Sequence, residues 1–430
     1  MDYKPIVTSF LTNDQRILLL RRSQKVGTHQ GKWSAVSGHL EGEEDPLQRA
    51  VTEIQEEIGL TREQVKLVRA GQILRAFDQE TDTVWVIHPF LFESTSNTVQ
   101  LDWENTEYKW INPKELNSYQ TVPKLQEAYD RVHYPYQTVH ESLDQVLHGV
   151  EELARDRIHG ASFLGHRAIE LLQATAKASQ ANEPDQLFSH LLLVSSRLRK
   201  AQPAMANVWN LTGHLLHLIE SKRNSVPVEE FKRLVAEHSQ KILEQAEDAA
   251  EDASRSTAHI LPEDGIVLTH SYSSTVYRAV ELGFKSGKAF QVYATESYPG
   301  MEGERLAEDL IALGVPVKLI ADSAVNSIIS HLNLVLVGAD SVLQNGSLIH
   351  KIGTRKIAIA AKRHGIPVWS VCETTKFSVA DFLGDHSEIS KDTFDVTPAE
   401  YVSYYVTEEG RVEPSSVEGK IRELVKEIYP

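Results

Sequence analysis

From Gly265 onward the chain alternates short apolar runs (GIVLTH, FQVYATE, VPVKLIA, LVLVGAD, PVWSVCE) with stretches of helical spacing. This alternation constrains the fold more than any other feature, because it predicts a parallel, doubly wound α/β sheet. From about Val139 to Ala258 the strand pattern disappears, and ASFLGHRAIELLQATAKA and FKRLVAEHSQKILEQAEDAAEDA carry the helical period. Residues 5–112 read mostly as strands: PIVTSFL, RILLLRR, QVKLVRAGQIL, TVWVIHPFLF and YKWI. One marked helix lies among them, and a short helix around Pro123 to Val132 closes that part. NSYQTVP through HYPYQT reads as the hinge. Length and pattern together predict an α/β chain in three parts, residues 1–135, 136–258 and 259–430.

Composition excludes several classes. The 44 basic and 60 acidic residues give a net charge of −16, which argues against a general nucleic-acid coat and leaves room only for local anion pockets. No apolar run approaches the roughly 18 residues of a membrane span, and MDYKPIV lacks a signal pattern. Cys372 is the only cysteine, so no internal disulfide or cysteine-based zinc site forms. A reducing, cytoplasmic setting is expected.

The marked helix begins after GHLEGEED. Asp45 is a good N-cap, Pro46 fits the first helical position, Gln48 is placed to close a capping box, and Gly59 is a natural stop. Leu47, Val51, Ile54 and Ile58 form an apolar stripe, with Glu53, Glu56 and Glu57 expected away from it. Like charges at i, i+3 and i+4 repel. Water dilutes that repulsion, or a divalent cation removes it by taking carboxylate oxygens.

The segment resembles the Nudix box: Gly38, Glu44, Glu53, Ile54, Glu56, Glu57, Gly59 and Leu60 fall in register. The resemblance covers roughly the first 135 residues and implies an α/β/α sandwich that hydrolyses a nucleoside diphosphate linked to another moiety. It further implies magnesium (or manganese) held by Glu53, Glu56 and Glu57, with Glu44 in the catalytic set. The family's arginine is Thr52 here, and Arg49, four residues before Glu53, is the substitute we weigh. Arg21, Arg22 and Trp33 are candidates to contact phosphate or base.

In the C-terminal part, VLTHSYSSTVYRAV runs from a strand into a helix and sets Ser271, Ser273 and Ser274 at the helix start, a ready anion site. Strands ending in Thr295-Glu296 and Gly338-Ala339-Asp340 aim carboxylates at the same crevice, since ligands of such sheets bind beyond the strand carboxyl ends. Asn345-Gly346 makes a turn, and Lys351 before Gly353-Thr354 is placed to hold a phosphate.

THSYSS, TESYPGMEG, VGADSVLQNGSLIHKIGT and ETTKF resemble the shared core of the initiation factor 2B α/β/δ subunits, archaeal ribose-1,5-bisphosphate isomerase and methylthioribose-1-phosphate isomerase. RIHGAS, residues 157–162, resembles the phosphate-binding turn of that group. The resemblance runs from about Val139 to the C-terminus. It implies a helical subdomain followed by a Rossmann-like sheet, in dimers or dimer-based hexamers. It also implies a site in which Asp340 keeps the proton-moving aspartate while Ser271 stands in the cysteine position. A serine hydroxyl is a far poorer acid–base group than a thiol, and Cys372 lies too far along the chain to replace it. His159, Gly160, Ala161, Ser273, Ser274, Glu296 and Lys351 are the implied phosphate-binding set. His159, Gln202 and Tyr298 stand for arginines and His350 for asparagine, which implies a ligand with less charge than a bisphosphate: a phosphorylated sugar or an AMP-like nucleotide.

Three functions follow. The first is a Nudix hydrolase whose second part binds a sugar phosphate or nucleotide, and it is the one we carry forward. The second is a ribose-1,5-bisphosphate isomerase-like enzyme with an added Nudix module. The third is a non-enzymatic regulatory protein or partner of translation factors, as for the initiation factor 2B α subunit, which also lacks the cysteine.

Overall fold

Leu18 and Leu20 point to one face of the N-terminal sheet, Ile17 and Leu19 to the other, and all four are fully buried. The computed structural model describes residues 2–41, 44–71, 73–78, 83–133, 141–223, 225–385 and 389–428. It divides into two units, Met1–Val139 with Leu383–His386, and His140–Phe382 with Ser387–Pro430.

In the first unit β1 (Asp2–Asn13), β2 (Arg16–Arg22), β3 (Trp33–Ser34), β4 (Val36–His39), β5 (Val65–Ala70), β6 (Leu74–Asp78), β7 (Thr83–Ser94) and β8 (Asn105–Ile111) share one sheet. Its path is β3-β2-β1-β7-β5, with β4 on β1, β6 on β7 and β8 on β2. Side chains alternate across a strand, so unbroken burial in β2 requires cover on both faces. Leu18 and Leu20 pack with Ala50, Ile54 and Ile58 of α1 (Pro46–Ile58). Ile17 and Leu19 pack with Leu125, Ala128 and Val132 of α2 (Leu125–His133). The unit is therefore an α/β/α sandwich, and each fully buried leucine contributes roughly 1.5–3 kcal/mol.

Two expectations change here. QVKLVRAGQIL is not one strand: β5 ends at Ala70 and Leu74 opens β6, which pairs with an earlier stretch of β7. NSYQTVP is no hinge: the Trp33 N–H donates to the Gln120 carbonyl and Val122 N–H to the Trp33 carbonyl, both at 2.9 Å, which ties it to β3. Of HYPYQT, residues 134–138 lie outside the described residues.

The second unit opens with α3 (Asp144–Arg155), α4 (Ala161–Ala178), α5 (Pro184–Ala201), α6 (Ala206–Glu220) and α7 (Val228–Ile260). Among the described residues no strand interrupts them. The alternating region follows as β9 (Asp264–Thr269), α8 (Ser274–Lys285), β10 (Ala289–Thr295), α9 (Glu302–Ala312), β11 (Val317–Ile320), α10 (Val325–Ile328) and β12 (Leu334–Val337). The chain continues through β13 (Ser341–Val342), β14 (Leu348–Lys351), α11 (Thr354–Arg363), β15 (Val368–Val371), α12 (Val379–Phe382), β16 (Phe394–Thr397), β17 (Tyr404–Thr407), β18 (Gly410–Val412) and α13 (Val417–Ile428).

The main sheet has the order β11-β10-β9-β12-β15-β17-β18. It is parallel except for the β17–β18 pair. Only Glu408 and Glu409 join those two strands, and so short a connection makes a hairpin, not a crossover. A separate antiparallel sheet, β13-β14-β16, was not expected, because its first strand is too short to show a period. Strand order runs outward in both directions from β9 and β12, so a crevice opens beyond their carboxyl ends. Ser271 comes just beyond the end of β9, after His270, and Asp340 just beyond β12, after Gly338 and Ala339.

Candidate functional site

The first unit holds a cleft of about 1040 Å³. Helix α1 delivers its carboxylates to it. Asp45 caps the helix by accepting the Leu47 N–H at 3.2 Å, Pro46 fills the first position, and Gly59 ends it at φ 71°. No reciprocal bond from Gln48 forms among the described residues.

The three carboxylates lie off the apolar stripe but differ in burial. Glu56 is exposed, whereas Glu53 and Glu57 are only 7% and 6% exposed. Both turn toward β4 and β8. The Ser37 N–H and the Asn105 amide each donate to Glu57 at 2.8 Å, one to each oxygen. Glu53 lies against Gly38, where any side chain would collide with it. Arg49 donates to Glu53, and the same nitrogen is 3.7 Å from Glu56. Thr52 instead bonds the Gln48 carbonyl of its own helix at 3.1 Å. Arg49 thus makes the carboxylate contact that position 52 lacks.

Burial pushes the Glu57 carboxyl up to about 8, against the bonds from Ser37 and Asn105. Burial also raises Glu53, with Arg49 pulling the other way. All three glutamates, and Glu44, line the cleft. Among the described residues no three His, Cys, Asp or Glu side chains form a ready metal cluster, and Glu57 commits both oxygens to Ser37 and Asn105. The donor chemistry nevertheless fits a hard divalent ion: the ligands are carboxylate oxygens, and burial penalises a charge that a cation would offset.

Of the residues proposed to meet phosphate or base, Arg22 lines the cleft, with its Nε donating to the Thr28 carbonyl at 3.1 Å. Arg21 pairs with Glu107 at 3.3 Å on the surface. Trp33 is 8% exposed in the core and offers no platform. Trp85 and Trp103 line the cleft instead. The indole N–H of Trp85 is buried without a partner, and Trp103 is 60% exposed. An aromatic in the polar run LDWEN was the available signal.

In the second unit a cavity of about 210 Å³ lies at the strand-order reversal. Ser271, Asp340, Lys351, His159 and Gly160 line it, together with Gln202 and His350. Ser271 sits at φ 67°, an uncommon conformation for serine, with its N–H donated to Ser297 Oγ at 2.7 Å. The Asp340 carboxylate makes no hydrogen bond to the described residues. Burial raises it to about 7, against the pull of Lys376 and Lys351. Gly160 caps α4, so the helix N-terminus faces the cavity. Lys351 donates to Glu302 at 2.5 Å.

The other residues of the set lie elsewhere. Ala161 is buried, and its carbonyl accepts from Asn207 at 2.6 Å. Ser273 caps α8 by accepting the Val276 N–H at 3.3 Å, and Ser274 is the exposed first residue of that helix. Glu296 is not among the lining residues, and its N–H donates to the Ile320 carbonyl at 2.9 Å. Tyr298 is 71% exposed and away from the cavity wall. The substitutes that do line the cavity are engaged: His159 Nδ1 is 2.7 Å from Asp156, Gln202 donates to the Leu153 carbonyl at 2.6 Å, and burial holds His350 well below the ordinary histidine range.

Sequence reasoning missed three charged groups. Glu302 belongs to the run TESYPGMEG, and Glu373 and Lys376 to ETTKF. The last two form a fully buried ion pair at 3.0 Å. Ser162 and Thr275 donate to Glu373 at 3.3 and 3.2 Å. Burial works to raise Glu373, and Lys376 with the hydrogen bonds outweighs it, leaving the carboxyl below its ordinary range. Cys372 is buried immediately after β15, and burial pushes its thiol up. It takes no part in the cavity.

The Initiation factor 2 subunit family matches residues 157–387, more than half of the chain, and the NUDIX domain matches residues 2–132. A ribose 1,5-bisphosphate isomerase of Thermococcus kodakarensis is 26% identical over 303 residues, covering 65% of this chain and 94% of its own. The crystal structure of a Pyrococcus horikoshii translation initiation factor eIF-2B superposes with a TM-score of 0.55 at 28% identity, over 63% of this chain and 98% of that one. That of the 5-methylthioribose 1-phosphate isomerase of the same organism gives 0.52 at 26%, over 65% and 87%.

Proposed function

The chain belongs to the Initiation factor 2 subunit family and carries a NUDIX domain ahead of that match, and from this premise we propose a magnesium-dependent (or manganese-dependent) hydrolase of a nucleoside diphosphate-linked substrate. The observation that carries the reading is that Glu53, Glu56 and Glu57 all line one cleft, with Arg49 bonded to Glu53 and Gly38 leaving that carboxylate room. The three glutamates, with Glu44, would hold the ion. When bound, the ion offsets charge on the diphosphate and makes water a stronger acid. Arg49 positions Glu53. Arg22 offers a cation to phosphate, and Trp103 an aromatic face to a base. Calorimetric titration with Mg²⁺ tests the ion site: we expect binding to wild type that is weakened in Glu56→Gln, and equal heats for the two proteins would contradict it.

The second unit, on this reading, binds a phosphorylated sugar or AMP-like nucleotide, with isomerase chemistry lost or altered at Ser271. Arg157 and the α4 N-terminus supply positive potential, Lys351 is paired with Glu302, and Asp340 faces the ligand. We place the protein in the cytoplasm as a dimer or hexamer, by analogy with the family; no described helix is long and apolar enough to cross a membrane. A second reading, a ribose-1,5-bisphosphate isomerase-like enzyme, is favoured by one observation: Asp340 holds a raised carboxyl in the same cavity as Ser271. Formation of ribulose 1,5-bisphosphate by wild type, abolished in Asp340→Asn, would establish it in place of a binding role.

A further inference from the structure

The cavity of the second unit contains a lysine whose charge is already answered. Lys351 is 6% exposed, and its ammonium lies 2.5 Å from Oε1 of Glu302. Both residues line the cavity wall. The other Glu302 oxygen is buried with no hydrogen-bond partner. The carboxylate is therefore held by the lysine alone, in the wall of the cavity. The loop before α9 is shaped around it: a side chain at Gly300 would come within 2.2 Å of Glu302 Oε1.

We propose that Glu302 is a built-in anion that occupies the seat of a second phosphate on Lys351, and so restricts this cavity to singly phosphorylated ligands. The inference rests on the reading that the cavity binds a phosphorylated sugar or nucleotide. The cavity keeps a separate anion seat, at the α4 N-terminus beside Gly160 and Arg157. A second phosphate arriving at Lys351 meets the carboxylates of Glu302 and Asp340, and like charges in a partly desolvated site repel strongly. Size acts in the same direction, since about 210 Å³ is small beside the pockets of roughly 300–1,000 Å³ that take larger ligands. Removing the Glu302 charge takes from buried Lys351 the one carboxylate bonded to it and leaves Asp340 as the remaining acid nearby, a state that an incoming phosphate relieves.

Calorimetry on the full chain with D-ribose 5-phosphate and D-ribose 1,5-bisphosphate tests this in wild type, Glu302→Gln and Glu302→Gln/Lys351→Met. Wild type is expected to bind the monophosphate about tenfold more tightly than the bisphosphate. Glu302→Gln is expected to gain about tenfold or more for the bisphosphate with little change for the monophosphate, and the double variant to lose that gain. The wild-type preference stands as a test even if the single variant fails to fold: equal or tighter binding of the bisphosphate overturns the proposal. Monophosphate binding without a bisphosphate gain in folded Glu302→Gln overturns it too, and leaves the binding role intact. Binding of neither sugar by wild type removes the binding role itself, and the proposal with it.

Discussion

A methyl group placed on Gly38 would stand 1.7 Å from Oε1 of Glu53. The glycine sits in β4, paired with Val7 of β1, so the strand cannot easily move away. Gly38→Ala must therefore displace the carboxylate or strain the sheet. We expect magnesium-dependent turnover to fall roughly 100-fold, with a stability loss of about 1–3 kcal/mol from overpacking. Steady-state assays beside urea unfolding check this. Full turnover in Gly38→Ala would show that the position of Glu53 does not matter.

Arg49 contacts Glu53 and Glu56 on one helix, whereas Thr52 turns to the Gln48 carbonyl. Arg49→Ala should lower kcat about 10- to 100-fold at saturating magnesium. Arg49→Lys should recover only part of this, because an ammonium lacks the planar fork of a guanidinium. Unchanged turnover in Arg49→Ala would leave position 52 uncompensated.

The buried Glu373–Lys376 pair gives a stability test independent of catalysis. Glu373→Gln leaves Lys376, 3% exposed, without its counter-ion. Breaking such a pair costs about 3–5 kcal/mol, whereas replacing both members with apolar residues of similar volume is far milder. Urea unfolding of Glu373→Gln and Glu373→Met/Lys376→Met should therefore place the single variant below the double. The reverse order would contradict a charged pair in the core.

Asp340 makes stability depend on pH. Its carboxyl is raised from 3.8 to about 7 in the folded chain, chiefly by burial, with Lys376 and Lys351 opposing and Glu302 assisting. Between those values the native state keeps a proton that the unfolded chain releases. Stability then falls as pH rises across that window, by about 1.4 kcal/mol for each unit of pH, and levels above it. Asp340→Asn lacks this slope. The melting temperature of the variant relative to wild type should rise from about pH 4 to about pH 7 and then stay level. A difference that does not vary with pH would place the carboxylate in water.

Much of this architecture was legible because periodicity reports burial directly. The run ASFLGHRAIELLQATAKA is α4 from end to end, and Asp45-Pro46 and Gly59 bound α1 where capping chemistry puts them. Ser271 and Asp340 were found because strand ends at a topological switch point converge by geometry. The misses have equally local causes. Spacing on α1 set Glu53 and Glu57 away from the apolar stripe but could not show their burial, because the Ser37 N–H and Asn105 that draw Glu57 inward come from other strands. Trp33 looked like a platform and is core, because β3 pairs with β2 and turns the ring toward Tyr119. Ser274 and Glu296 sit at strand and helix ends as expected, yet they line no cavity wall, since an element's end does not say which way a side chain turns. Glu302 lies within a recognised motif, but its ion pair with Lys351, across 49 residues, leaves no mark in local spacing; the Glu373–Lys376 pair is local, yet its burial is not visible in spacing.

The central claim is that the glutamates of α1 work together as an ion-dependent hydrolytic site. The most direct measurement is phosphorus NMR of a panel of nucleoside diphosphate conjugates incubated with wild type and Glu56→Gln, with Mg²⁺ and with excess chelator. The expected result is cleavage of at least one conjugate into two phosphomonoesters by wild type with Mg²⁺, lost in the variant and under chelation. Cleavage that persists in folded Glu56→Gln, or a wild type as inert as that variant across the panel, would contradict it.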